Sequence, residues 1–305
     1  MIKDTNQLGV WPVMLTPFNH SSKIDWHGLD SLIQWYLKAD IGGLFAVCGS
    51  SEMFALSEEE RLSLAKYVIQ KVDGQVPVIV SGTFADCLDE QVNLIKQMSD
   101  LGANFVVCLV NQFTQENDSS DTWIKNAEYI LENTGDIPLG LYECPSPYHR
   151  FLSVEETKWA AKTGRFVWMK ETSESLELFT EKVNAAKGSP LNILNADARF
   201  LLESQRAGGS GYTGIAANFY PQLLSWMCKH FNDEPELVNK LQSFLTEKQS
   251  VINHKYLQNA KVFLKISDVD METTSRINNH EFTMAEVRDL VELKEEIVKF
   301  EDRIK

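Results

Sequence analysis

Short continuous apolar runs alternate with longer amphipathic stretches along the first three quarters of this chain. The runs are VWPVMLTPF (10–18), GLFAVC (43–48), VPVIVSG (76–82), NFVVCLV (104–110), IPLGLYE (137–143), RFVWMK (165–170), LNILNA (191–196) and GYTGIAA (211–217). Runs of this length suit parallel strands covered on both faces. Helix start signals lie between them. Ser57 with Glu60, and Ser153 with Glu156, have the spacing of capping boxes. Further helices are expected over about 27–40, 88–100, 121–133, 174–187, 197–207 and 219–231. Gly74, Gly102, Gly135, Gly164 and Gly188 each stand shortly before a strand, where they can end the preceding helix.

Eight β-then-α units predict an α/β fold of (β/α)8 barrel type over residues 1–232. A doubly wound open sheet is the runner-up, but LTPFNHSSKID after the first run lacks its usual glycine fingerprint. From 233 to 305 the strand signals stop, and a C-terminal helical domain is expected to pack on the barrel or on a neighbouring subunit. Its last helix opens on Thr283 with Glu286 and carries an apolar stripe of Met284, Val287, Leu290, Val291, Ile297 and Val298.

Net charge narrows the function classes. At −14, the chain is a poor general partner for nucleic acid or anionic membrane. No run of 18 apolar residues suggests a membrane span. MIKDTNQLGVWPV does not read as a signal peptide. Cys48, Cys87, Cys108, Cys144 and Cys228 are dispersed with no CxxC, as expected of reduced thiols in the cytoplasm. The six histidines are scattered and no HExxH occurs, so no metal is expected.

Barrel active sites lie at the C-terminal strand ends. Those ends carry Gly49, Ser50 and Ser51 after the second run, Tyr142 and Glu143 after the fifth, Lys170 after the sixth and Ala196 after the seventh. A neutral lysine amine can attack a carbonyl to form a Schiff base. Its free pKa of about 10.4 must fall, and apolar walls achieve that by desolvation. FVWM, directly before Lys170, supplies apolar neighbours. Taken alone, a boundary lysine reaching for water fits Lys170 equally well. Tyr142 can relay protons or simply cap the barrel interior. GSS can hold a carboxylate or form an ordinary turn.

GSS, YECPSP around Tyr142, MKETS around Lys170 and the late GGSGYTGIAANFYP occur in an order that resembles the dihydrodipicolinate synthase / N-acetylneuraminate lyase family, from about residue 8 to the end. The resemblance implies a class I aldolase on a (β/α)8 barrel, commonly a homotetramer or dimer. No cofactor is implied beyond a covalent Schiff base between Lys170 and pyruvate. Tyr142 would assist at the pyruvyl oxygen. Ser50 and Ser51, with Gly49, would bind the pyruvate carboxylate, and Thr213 to Ile215 would line the pocket.

Departures from the family pattern concern the second substrate. The family loop G-[ST]-[ST]-G-E reads here as GSSE, aligned with its second glycine deleted and Glu52 in the Glu place. A tyrosine that reaches a neighbouring subunit's site falls at Phe113. The arginine that synthases use on aspartate semialdehyde falls near Pro147, with Arg150 as a candidate substitute. Glu143 is an acidic neighbour that either acts on Tyr142 and Lys170 or faces away. The leading expectation is a lyase joining or cleaving pyruvate and an aldehyde, the 2-keto acid being of sugar-acid type. Dihydrodipicolinate synthase with an altered carboxylate site and a catalytically weak keto-acid-binding paralogue are the alternatives.

Overall fold

The computed structural model describes residues 9–304; the N-terminal stretch read above lies outside the described residues up to Leu8. All eight expected strands form: β1 (Gly9–Val10), β2 (Leu44–Val47), β3 (Val78–Ser81), β4 (Phe105–Leu109), β5 (Leu139–Tyr142), β6 (Phe166–Glu171), β7 (Asn192–Asn195) and β8 (Gly211–Tyr212). β2 to β8 pair in sequence order, every pair parallel, and β8 pairs with β1. The remaining seam closes through a parallel bridge between Val13 and Phe45, where the Met14 and Phe45 amides donate across β1 and β2 at 3.0 Å. At the β1–β8 junction a Cβ on Gly211 would lie 1.9 Å from the Gly9 carbonyl oxygen, so only glycine permits this approach.

Alternating with the strands are α1 (Trp26–Leu37), α2 (Glu58–Val72), α3 (Leu88–Asp100), α4 (Ser120–Asn133), α5 (Val154–Lys162), α6 (Leu176–Ala186), α7 (Leu201–Arg206) and α8 (Pro221–His230). The capping boxes at Ser57–Glu60 and Ser153–Glu156 form as expected. Three further helices follow: α9 (Pro235–Asn253), α10 (Gln258–Ile266) and α11 (Met284–Ile304). Among the described residues, no helix is long and apolar enough to cross a membrane.

Two expectations change. The first apolar run contributes a ladder of only two residues, because Pro12 and Pro17 have no amide to donate. The apolar stripe of α11 is displaced: Leu290, Leu293 and Ile297 are buried, whereas Met284 is 86% exposed and Val291 and Val298 face outward.

Trp11, Phe45, Phe105 and Trp168 fill the barrel axis, with ring centroids 5.6–6.1 Å apart. A register shift opposite Leu139–Gly140 re-aims β6. Phe166 turns towards Trp159 of α5, while Trp168 points into the barrel. Strand alternation from Trp168 then puts Lys170 on the interior face and Glu171 on the helix face. Of FVWM, only Trp168 shares the face of Lys170, and it belongs to the aromatic floor beneath it.

Candidate active site

Lys170 and Tyr142 are cross-strand partners at the C-terminal ends of β6 and β5. The Lys170 Nζ sits 4.5 Å from the centroid of the Tyr142 ring. Lys170 is only 6% exposed. Burial lowers its pKa from the usual lysine value; the charged forms of Cys48 and Cys144 are the groups that oppose the shift, and no carboxylate is among them. A ring face offers an ammonium about 0.5–2 kcal/mol, less than the several kcal/mol at stake in burying it. The Tyr142 phenol is pushed well above its ordinary pKa, first by burial, and so remains a protonated donor.

These two side chains open into a cavity of about 390 Å³. Pro145, Ala196, Gly214 and Ile215 form part of its wall. A Cβ on Gly214 would lie 2.1 Å from the Ala196 carbonyl oxygen, so the wall is bare backbone there. The rest of the lining is polar and includes Thr172, His149, Glu174, Asp197 and Arg199 from the barrel, and Gln249 and Asn253 from α9. Arg199 is gripped by Asp197 and, at 2.5 Å, by Glu174. These bonds raise its pKa, so it stays charged, and the trio carries one excess negative charge. His149 Nε2 lies 2.8 Å from the Thr172 hydroxyl, whose own proton goes to the Glu143 carbonyl.

The structure separates the sequence-predicted residues. Ala196 and Ile215 join Lys170 and Tyr142 around the cavity. Gly49 stands beside them, since a Cβ there would lie 3.3 Å from the Tyr142 oxygen. Ser50 follows Gly49 but is not itself part of the cavity lining, and its hydroxyl is bonded to Tyr256 at 2.6 Å. Ser51 turns into the barrel wall. Its hydroxyl shares its single proton between the Met14 and Ala46 carbonyls, each at 2.7 Å, and accepts from the Cys48 amide. Thr213 donates its hydroxyl to the Trp11 carbonyl. Both lock the loops rather than face the cavity.

Three further expectations, for Glu52, Phe113 and Arg150, are corrected, and Glu143 takes the second of its two expected courses. Glu52 adopts the left-handed backbone that a glycine ordinarily supplies, φ 58°, so the loop has a glutamate at a glycine-type position rather than a deletion. Its side chain is buried against Lys261 at 2.7 Å and accepts from the Ser275 hydroxyl and the Arg276 amide, tying the loop to the C-terminal segment. Phe113 is buried within its own chain, its ring 5.8 Å from Trp123. Arg150 pairs with Glu156 at 2.7 Å, outside the cavity. Glu143 faces the helix layer, where Lys182 of α6 bridges it and Glu171 at 2.6 and 2.8 Å. The Glu143 carboxylate also accepts from the Leu152 and Thr172 amides, pinning the loop after β5 to the end of β6.

Sequence reading missed Arg199, Glu174 and the α9 residues. Asp197 stands directly after Ala196 and was legible as a strand end. Gln249 and Asn253 gave no signal, because a helix face touching the barrel mouth reads like any polar face.

A sequence profile of the Dihydrodipicolinate synthetase family matches residues 6–292. Relatives include the 4-hydroxy-tetrahydrodipicolinate synthase of Methanosphaerula palustris, 26% identical over 227 residues, or 74% of this chain and 76% of the relative. That of Bacillus subtilis is 27% identical over 221 residues, 72% and 74% of the two chains. Among solved structures, a prophage protein of the dihydrodipicolinic acid synthase family from E. coli K12, in complex with pyruvate, superposes with a TM-score of 0.85 at 21% identity. The match covers 95% of this chain and 98% of that one.

Proposed function

The chain belongs to the dihydrodipicolinate synthetase family, and on that footing we propose that it is a class I aldolase acting through a Schiff base on Lys170. The observation that carries this reading is a buried lysine with a lowered pKa, facing a cavity beside a protonated phenol. The neutral Nζ attacks the keto carbon of pyruvate. The C–N bond forms as the carbonyl π bond opens, the oxygen takes a proton, and loss of water leaves the imine. Tyr142 is placed to give that proton. The protonated imine then acidifies the adjacent methyl group. Its enamine carbon bonds to an aldehyde, or the reverse step releases one.

The polar lining of the cavity favours a polyhydroxylated aldehyde and hence a sugar-acid type of 2-keto acid. Thr172, Asp197, Glu174, Gln249 and Asn253 supply donors and acceptors for hydroxyl groups. Arg199 is already matched by two carboxylates, so an aldehyde bearing its own carboxylate would have to displace one. The names of the relatives favour a second reading, in which the aldehyde is aspartate semialdehyde. Glu174 is exposed enough to swing away and leave Arg199 to such a substrate.

Incubation with pyruvate and borohydride, followed by intact mass, tests the chemistry. An adduct is expected in the wild type and absent in Lys170→Met; no wild-type adduct with any simple 2-keto acid refutes the aldolase reading. Turnover of pyruvate with hydroxylated aldehydes against aspartate semialdehyde separates the two substrate classes.

A further inference from the structure

We propose that Tyr256, in the segment joining α9 to α10, is a positioning residue that aims the Ser50 hydroxyl at the bound keto acid. The inference rests on the aldolase reading above. It starts from a chain of buried and half-buried hydrogen bonds within one polypeptide. The Tyr36 hydroxyl donates to Asn218 Oδ1 at 2.5 Å, which fixes the amide orientation of Asn218. Asn218 Nδ2 donates to the Val13 carbonyl at 3.0 Å and to the Tyr256 hydroxyl at 2.8 Å. The Tyr256 oxygen is therefore an acceptor on that side.

Its own proton must go elsewhere. The phenol is half-buried, and burial raises its pKa, so the proton is retained. Asn218 already donates to the phenol oxygen, and the Ser50 oxygen at 2.6 Å is the partner left for the phenol proton. Tyr256 thus donates to Ser50. Ser50, also buried, keeps its proton for a group beyond. A Cβ on Gly49, next to it, would lie 3.3 Å from the Tyr142 oxygen. The free proton of Ser50 therefore belongs to the corner of the cavity where Tyr142 and Lys170 meet. Each bond in the line polarises the next, making Ser50 a stronger donor than an isolated serine. All of its members come from one chain, although Ser50 and Tyr256 are 206 residues apart.

The test is the rate of borohydride-trapped pyruvate adduct at sub-saturating pyruvate, with melting curves alongside. Tyr256→Phe and Ser50→Ala are each expected to slow trapping about tenfold, the value of one hydrogen bond to a charged group. The double variant should be no slower than Ser50→Ala, and Ser50→Thr should retain the rate. A wild-type rate in Tyr256→Phe, or a double variant losing the product of the two effects, overturns the proposal while leaving the aldolase reading intact. Absence of any wild-type adduct overturns both. Should Tyr256→Phe melt too low to assay, a wild-type rate in Ser50→Ala still overturns it.

Discussion

Removing the ammonium of Lys182 should destabilise the protein in a pH-dependent manner whose sign follows from the site. Lys182, Glu143 and Glu171 are all essentially inaccessible, and together they hold two carboxylates against one cation. Burial, partly offset by Lys182, pushes the Glu143 pKa up to about 7. In the unfolded chain it returns to about 4.3. Between these values the folded protein holds a proton that the unfolded chain has lost. Stability therefore falls as pH rises through this window, by up to about 3 kcal/mol, and is level above it.

Lys182→Met keeps the side-chain length but leaves both carboxylates without a counter-charge. Breaking a buried pair by removing one partner costs about 3–5 kcal/mol when the remaining charge stays ionised. At about pH 5.5 Glu143 already holds its proton, so less charge is left uncompensated and the loss should be smaller. At about pH 8.5 Glu143 has lost that proton in the wild type, and the full cost appears. Thermal melts should show a deficit of about 10 °C at the higher pH, shrinking at the lower. An equal deficit at both pH values, or a larger one in acid, would refute the argument that uncompensated charge is the cost.

Gly214→Ala should abolish adduct formation or the fold around β8, since its Cβ meets the Ala196 carbonyl oxygen at 2.1 Å; a normal trapping rate would contradict the geometry. Glu52→Gln leaves Lys261 buried without its partner and should cost about 3–5 kcal/mol, with faster proteolysis near Ser275–Ile277 as the direct readout. Adduct formation by the wild type should rise with pH and level off below the usual lysine pKa, because burial lowers that of Lys170; a profile still climbing at the free-lysine value would deny the desolvation.

The barrel was legible because its signals are local. Each buried strand is an apolar run, and each capping box spans four residues. Lys170 and Tyr142 were legible as strand ends once eight runs had been counted, and adjacent strands placed them together. What stayed hidden depends on residues far apart in sequence. Glu52 looked like part of a substrate loop, and nothing local announced that Lys261, 209 residues on, would neutralise it. Arg150 looked free to bind a carboxylate until Glu156 of its own capping box took it. Glu143 could either act on Tyr142 and Lys170 or face away; strand alternation sends it to the opposite face, and only the path of α6 brings Lys182 there. The largest revision concerns the C-terminal helices. Read as an appendage, they instead place Gln249 and Asn253 in the cavity wall and the Tyr256 hydroxyl on Ser50. A polar residue on a helix face is the same symbol whether it meets water or an active-site hydroxyl, so this role could be seen only when the barrel mouth was built.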